Sequence, residues 1–462
     1  MDRRWFVLGM IAIAVSLLAI AEDRSADAGW QAGGARVNIT PGQSMWMSGY
    51  GGRDHPSEGK LTDLWAKILV LQDDDGGRVA VVTLDLVGLD RSTEQAIRTQ
   101  VAKQHGIPVA NTALFSSHTH TGPVVGTNLK AMYDITDEQW TLVEDYTDKL
   151  IRDVVAAVGT AIDDLEPVDV SWGNGEATFA VNRRNNREPD VPMLREQGQL
   201  VGPIDHDVPV LAVRAGDKLK AVLFGYACHA TVLSFYQWSG DYPGFAQIEV
   251  EENHPGCLAM FWAGCGADQN PLPRRTVELA REYGQRLGAA VSRVLAGEMT
   301  PISGNLEAVS VEIPLEFAEL PSREQLLETT ESSNRFEAGR ARWLLGKWET
   351  NGGLSAEYPY PVQSWKLGDG PLWVILGGEV VVDYSLRFKN ELGADTTWVA
   401  GYANDVMAYI PSLRVLREGG YEGARSMIYY GQPSPWAEGI ETRIAAEVQR
   451  QAKVVMQPAV AP

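Results

Sequence analysis

The sequence is short of cysteine, of histidine and of positive charge. Only three cysteines occur, Cys228, Cys257 and Cys265. An odd number in an exported chain leaves at least one thiol free. No C-x-x-C spacing appears, and either one bridge or three small buried thiols fits, so disulfides do not organise the fold. Lys and Arg number 40 against 60 Asp and Glu, a net charge of −20. With no Lys/Arg cluster to reverse it locally, that balance excludes nucleic acid as a partner and disfavours an anionic membrane surface, though not a neutral lipid headgroup. No internal repeat and no low-complexity linker is visible. Beyond the N-terminal segment no apolar run is long enough to cross a bilayer. Apolar residues at 45% and charged residues at 22% rule out general disorder.

The N-terminus reads as an address. Asp2-Arg3-Arg4 is a charged start, Trp5–Ile20 is an apolar run, and Ala19-Ile20-Ala21 closes it as an A-x-A cleavage site. Residues 1–21 are therefore expected to be a signal peptide, with Ala26-Asp27-Ala28 as a second possible cut. The run is shorter than the about 20 residues of a spanning helix, and an uncleaved anchor is the rival reading. The mature protein is expected to be exported, periplasmic or secreted, with no stable membrane insertion after cleavage.

Strand-like and helix-like segments then alternate. Trp65–Leu71 and Val79–Val87 are β-rich runs joined by Asp73-Asp74-Asp75-Gly76-Gly77, a hairpin signal. Thr112–Ser116, Val168–Asn182, Val208–Arg214, Ala221–His229, Leu258–Ala263, Leu306–Phe317, Trp373–Val382 and Thr397–Gly401 read as further strands. Ser92–His105, Thr136–Asp164, Arg274–Leu295, Pro321–Trp348 and Tyr384–Leu392 carry helical patterns. Asn351–Pro361 reads as a surface loop. The fold class expected is α/β: one large catalytic unit over residues 30–450, with layered mixed sheets and outer helices, followed by a flexible tail over 451–462.

Seven histidines occur. His118 and His120 are two apart at the end of a strand, so their imidazoles share a face and can converge on one point. A tight loop, Gly122-Pro123, follows. Metal binding and a purely local hydrogen-bonding role both fit that spacing. His229 ends another apolar strand, where a ligand and a satisfied core histidine look alike. His206 lies between Asp205 and Asp207, which suits an orienting role. His55, His105 and His254 sit among turn residues and read as solvated.

These residues also carry a family resemblance. Phe115-Ser116-Ser117-His118-Thr119-His120-Thr121-Gly122-Pro123 resembles the T-H-T-H-S-G-P signature of the neutral/alkaline non-lysosomal ceramidases. The elements Met47–Gly51, Val181–Arg184, Ala227–Thr231, Ser239–Gly244, Gly377-Gly378-Glu379, Tyr409 and Tyr421-Glu422-Gly423 resemble further family elements in the same order. The resemblance implies a zinc amidase. His118, His229, Glu379 and Tyr409 take the places of the Zn²⁺ ligands, and the set suits that ion. His120, Arg183 and Tyr421 would line the reacting centre, His120 moving a proton and the other two assisting the oxyanion.

Two features depart from the family. Its G-D-x-S-P-N serine is absent: the corresponding stretch is Gly264-Cys265-Gly266-Ala267-Asp268-Gln269-Asn270-Pro271, and a gapless reading puts Gln269 in its place. Only about forty residues follow Tyr421, so the family's immunoglobulin-like C-terminal domain is expected to be missing or vestigial. The reading is thus an exported zinc-dependent amidohydrolase that cleaves an N-acyl lipid, ceramide or ceramide-like, with a zinc-activated water. Asp268 is the nearest candidate base, a turn carboxylate being its other reading, and Cys265 is a lesser candidate nucleophile. The rivals are a hydrolase of another N-acyl amide or ester of the cell envelope, and a catalytically silent binding protein of the same fold.

Overall fold

The computed structural model describes residues 29–457; the expected signal peptide lies outside the described residues. The chain builds the same arrangement three times. First, β1 (Gln31–Asn38), β2 (Trp65–Gln72) and β3 (Arg78–Leu84) form an antiparallel meander. Helix α1 (Arg91–His105) then crosses back, β4 (Thr112–Ser116) pairs parallel to β3, and the long helix α2 (Asp137–Asp163) follows. In the second round, β5 (Asp169–Glu176), β6 (Asp207–Ala215) and β7 (Lys218–Tyr226) form the meander. Helix α3 (Asp241–Asn253) leads to β8 (Leu258–Ala263), parallel to β7, and α4 (Val277–Ala296) follows. In the third, β9 (Leu306–Glu316), β10 (Glu357–Leu367) and β11 (Leu372–Leu376) precede α5 (Val382–Leu392), β12 (Thr397–Ala400), parallel to β11, and α6 (Ile440–Val455). A parallel neighbour needs a crossover of a dozen or more residues, which is why each fourth strand comes after a helix.

Local chemistry sets the boundaries. Asp73 closes the β2–β3 turn by accepting from the Gly77 backbone N–H at 2.7 Å. Asp90 caps α1 at its start and Gly106, at φ 71°, ends it. Thr136 caps α2 and Thr276 caps α4 in the same way.

The inner faces of all three sheets share one apolar cluster. Phe115, Trp262, Trp365, Trp373 and Trp398 meet there, all buried, with Phe115 stacked on Trp373 at 4.9 Å. The outer faces pack on helices. In β2, Leu69 and Leu71 point to the shared centre while Ile68 and Val70 face α1 and α2. Burial on both faces explains why these strands read as unbroken apolar runs rather than alternating ones.

Several expectations are corrected. The repeat lies in hydrogen-bond order, and no repeat was expected from the sequence. Val168–Asn182 is two strands: β5 stops at Glu176, and Ala180–Asn182 pairs with Gln269–Pro271 instead. Trp373–Val382 breaks at Gly377-Gly378, where Gly378 has φ 74°. Pro321–Trp348 is two helices, Arg323–Thr329 and Arg335–Asn351, capped separately by Ser322 and Asn334. The expected loop at Asn351–Pro361 gives way to β10 from Glu357. The expected tail from 451 is helical to Val455, because Gln451, Ala452 and Val455 are buried. Helix α3 had no sequence signal: its apolar residues follow no helical stripe.

Because Trp373 joins the inner faces, Trp373→Ala should cost about 3–5 kcal/mol in denaturant unfolding. The exposed Leu327→Ala should stay within about 0.5 kcal/mol. Equal midpoints for the two variants would show that the three sheets do not depend on a common centre.

Candidate metal centre

In each repeat the third strand and its parallel neighbour end on the same side, and the loops that leave them form the site. The third residue past β3, β7 and β11 is Val87, His229 and Glu379. The second residue past β4, β8 and β12 is His118, Cys265 and Tyr402. Equivalent places in the three units thus supply two histidines, the carboxylate, the carbonyl that holds His118, and a tyrosine. His118 and Tyr402 both have positive φ, 61° and 54°, which turns each side chain back across the strand ends.

The buried His118 donates from Nδ1 to the Val87 carbonyl at 2.6 Å, and the buried His229 donates from Nδ1 to the Gly266 carbonyl at 2.8 Å. Each Nε2 is then an unprotonated acceptor. Both point at Glu379 Oε2, 3.2 Å from His118 and 3.1 Å from His229. That oxygen makes no hydrogen bond, while Tyr430 donates to the other, Oε1. The Tyr409 hydroxyl lies 3.3 Å from His229 Nε2, and His120 Nε2 lies 3.1 Å from His118 Nε2. His118, His120 and His229 form a group that could hold a metal ion. Burial, then Arg183, pushes His229 down to about 4, and burial, then His118 and His229, holds His120 well below its ordinary value. Glu379 Oε2 faces both Nε2 atoms with no donor of its own, and a buried acceptor left so is unfavourable unless a cation joins it.

Neighbouring loops brace this cluster. Arg53, buried, donates to the carbonyls of Ser48 and His120, the latter at 2.7 Å. Gly49, at φ 94°, leaves room for the His120 ring: a Cβ there would come 2.5 Å from it. Gly266 permits equally close passage, since its Cβ would lie 2.4 Å from the Cys228 backbone nitrogen.

A cavity of about 590 Å³ opens over the cluster, lined among others by His120, Arg183, His229, Asn270, Tyr409 and Tyr421. Arg183 donates to Glu422 at 2.8 Å, to Asn270 Oδ1 at 3.2 Å and to the Tyr409 hydroxyl at 3.2 Å. Tyr421 packs edge-on against Tyr409. The structure therefore brings together His118, His120, Arg183, His229, Glu379, Tyr409 and Tyr421.

Asp268 is not brought in. It is buried, its Oδ1 accepts from the Val382 backbone N–H at 2.9 Å and its Oδ2 from Asn182 at 3.2 Å. Burial raises its carboxyl to about 6, opposed by the Val382 N–H. Cys265 is fully buried with Sγ towards the Val399 carbonyl, and burial pushes its thiol well up. All three cysteines are free and buried. His206 donates from Nε2 to the Ala180 carbonyl, 2.9 Å away, outside the cluster, and His105 donates to the Val155 carbonyl rather than standing in solvent.

Gln269 does not face the cavity either. Its amide bridges the Ala227 carbonyl and the Asp205 N–H, and its own carbonyl accepts from His229 N at 3.0 Å. The side chain that the loop turns into the cavity is Asn270. Matching the serine motif on its Asp and Pro, rather than on its Gly, would have put Asn270 at the serine. Tyr402 and Tyr430 were also missed, since nothing in their spacing marks them.

Comparison with known proteins bears on the family and the fold. The family model for neutral/alkaline non-lysosomal ceramidase, N-terminal, matches residues 30–309, more than half of the chain. No curated protein sequence matches the chain. The crystal structure of neutral ceramidase from Pseudomonas aeruginosa is similar at a TM-score of 0.71 and 19% identity, covering 94% of this chain and 77% of that one. A ceramidase complexed with C2 is similar at 0.70 and 17% identity, with the same coverage of 94% and 77%. The mixed α/β fold is thus the fold of those ceramidases, and the chain belongs to the neutral/alkaline non-lysosomal ceramidase family.

Proposed function

We propose that the protein is an exported zinc-dependent amidohydrolase that cleaves the amide bond of an N-acyl lipid. The observation that carries this reading is the meeting of His118 Nε2, His229 Nε2 and Glu379 Oε2 at 3.1–3.2 Å with no proton to share. Donor atoms that sit about 2.0–2.1 Å from a tetrahedral zinc stand about 3.3 Å from one another. The carboxylate and the Tyr409 hydroxyl, 3.3 Å from His229 Nε2, therefore fit as third and fourth ligands. His120 fits less well as a ligand: its Nδ1 is buried without a partner, so no carbonyl fixes its ring as Val87 and Gly266 fix the other two. Export rests on the Trp5–Ile20 run and the cleavage site at Ala21.

Zinc supplies two things when bound: it lowers the pKa of a water to about 7 and polarises a carbonyl. The chain's own groups do the rest. Arg183 and Tyr421 face the cavity where the amide carbonyl would lie, and Asn270 offers its Nδ2, because Arg183 already donates to its Oδ1. Water adds across the C–N bond, oxygen to the carbonyl carbon and one proton to the leaving nitrogen. His120, held neutral and beside the reacting centre, moves that proton. Asp268 acts as a positioning residue through the backbone of Val382. An asparagine cannot form an acyl intermediate, which fits direct attack by water. The missing serine also favours, as the second reading, a substrate other than ceramide: another N-acyl amide or an ester of the cell envelope.

Elemental analysis should find one zinc per chain, removed by His118→Ala or His229→Ala; full occupancy in both variants would overturn the ligand set. Tyr430→Phe should weaken zinc about 10–100-fold in chelator competition, because it releases the Glu379 carboxylate. In turnover of a short N-acyl amide, His120→Ala should lose about 10²–10⁴-fold in kcat. Asn270→Ala should lose about 10²–10³-fold, as for one oxyanion donor. Cys265→Ala should retain most activity, and a dead Cys265→Ala that is still folded would reinstate a thiol nucleophile.

A further inference from the structure

The chain carries a net charge of −20, yet the cavity over the candidate centre is lined by six arginines against two glutamates. Those six are Arg183, Arg184, Arg187, Arg274, Arg275 and Arg425. Some are already paired. Arg183 and Arg184 share Glu422, and Arg274 grips Glu188 at 2.8–3.1 Å. Arg275 and Arg425 have no carboxylate within 4 Å among the described residues.

Arg275 is built in place. Its backbone has φ 97°, a conformation that a side-chain-bearing residue adopts only when the surroundings impose it. Its backbone N–H donates to the Val232 carbonyl at 2.7 Å. One guanidinium nitrogen donates to the Tyr50 hydroxyl at 3.1 Å, and the group lies 5.5 Å over the Tyr50 ring. Tyr50 in turn donates to Leu233 and rests its ring on His120 at 4.7 Å. Arg275 therefore stands one aromatic ring from the reacting centre, held at one nitrogen, with its remaining N–H groups given no protein acceptor. Exposed at the cavity wall, with one nitrogen held by Tyr50 and its other donors free, this guanidinium is suited to receive a carboxylate. Apolar lining is sparse: Leu272 is the aliphatic side chain in it, beside the three tyrosines Tyr50, Tyr409 and Tyr421.

We propose that the cavity selects an N-acyl amide bearing a carboxylate near the scissile bond, the chemistry of an N-acyl amino acid, and that Arg275 is the residue that selects it. This rests on the amidohydrolase reading of the same site. Hydrolysis then releases a fatty acid and an amino acid, water supplying the hydroxyl to the acyl carbon and the proton to the amine. Arg425 adds long-range attraction for the anion from the cavity wall.

The test compares N-dodecanoylglycine with N-dodecanoylethanolamine, which differ by the carboxylate, on the full zinc-loaded protein. Wild type should favour the glycine conjugate in kcat/KM by about tenfold or more, the worth of a charge-assisted hydrogen bond. Arg275→Gln should abolish the preference through KM, Arg275→Lys should restore part of it, and added salt should shrink the preference in wild type. A wild-type ratio near one, or a preference that survives in folded Arg275→Gln, overturns the proposal. Calorimetric binding of both probes separates the two readings. Tighter binding of the glycine conjugate, lost in Arg275→Gln, without turnover of either probe would sink the amidase reading and keep the anion site. Equal turnover and equal binding of both would do the reverse.

Discussion

The site depends on one kind of contact, an imidazole Nδ1–H given to a backbone carbonyl at a strand end. The Val87 and Gly266 carbonyls take those protons from His118 and His229. Once they do, both Nε2 atoms are bare acceptors aimed at Glu379 Oε2. The carbonyls belong to the first and second repeats and the carboxylate to the third, so the centre exists only where the three sheets end together. The shared tryptophan cluster on the inner faces sets that meeting point. Rigid placement follows from the fold, since each candidate ligand sits within three residues of a strand.

The surrounding charge works in the opposite sense to the chain as a whole. A surface of net charge −20 would repel a carboxylate at long range, but a cavity ringed by arginines focuses the opposite field locally. Glu422 and Glu188 moderate it by pairing with the arginines nearest the loops that need order. Arg275 and Arg425 are left without a carboxylate partner among the described residues.

The site was legible in part. The two-residue spacing of His118 and His120 pointed to imidazoles that meet, and their Nε2 atoms lie 3.1 Å apart. The strand ends at Ser116 and His118 has φ 61°, so a turned backbone and not a strand's alternation brings them together. His229, at the end of another apolar run, read equally as a ligand and as a satisfied core histidine. Glu379 and Tyr409 were visible only through the family resemblance, because a Glu after two glycines and a core tyrosine have no local signature. Gln269 was put at the serine because the motif was matched on its Gly; matched on its Asp and Pro it places Asn270 there, the side chain that lines the cavity. Tyr402 and Tyr430 act through contacts remote in sequence and left no pattern to read. The threefold topology was invisible for a related reason: it is conserved in pairing order, which any β-forming residues satisfy, while the inserted helices and loops differ in every repeat.

Asn270, which stands at the serine when the motif is matched on its Asp and Pro, bears on more than the nucleophile in the proposed reaction. Asn270 is fixed at Oδ1 by Arg183, whose guanidinium also reaches the Tyr409 hydroxyl. One arginine therefore orients an amide donor and a phenol of the proposed metal set at once. A serine hydroxyl in that place would both donate and accept, and could take an acyl group; an amide held this way only donates towards the cavity. On the proposed reading the loop would serve a single electrostatic task, stabilising charge on a carbonyl oxygen. Without an acyl intermediate, leaving-group departure and water attack would share one proton path, with His120 placed to carry it. The proposed chemistry then rests more on the cluster of buried acceptors than on this loop.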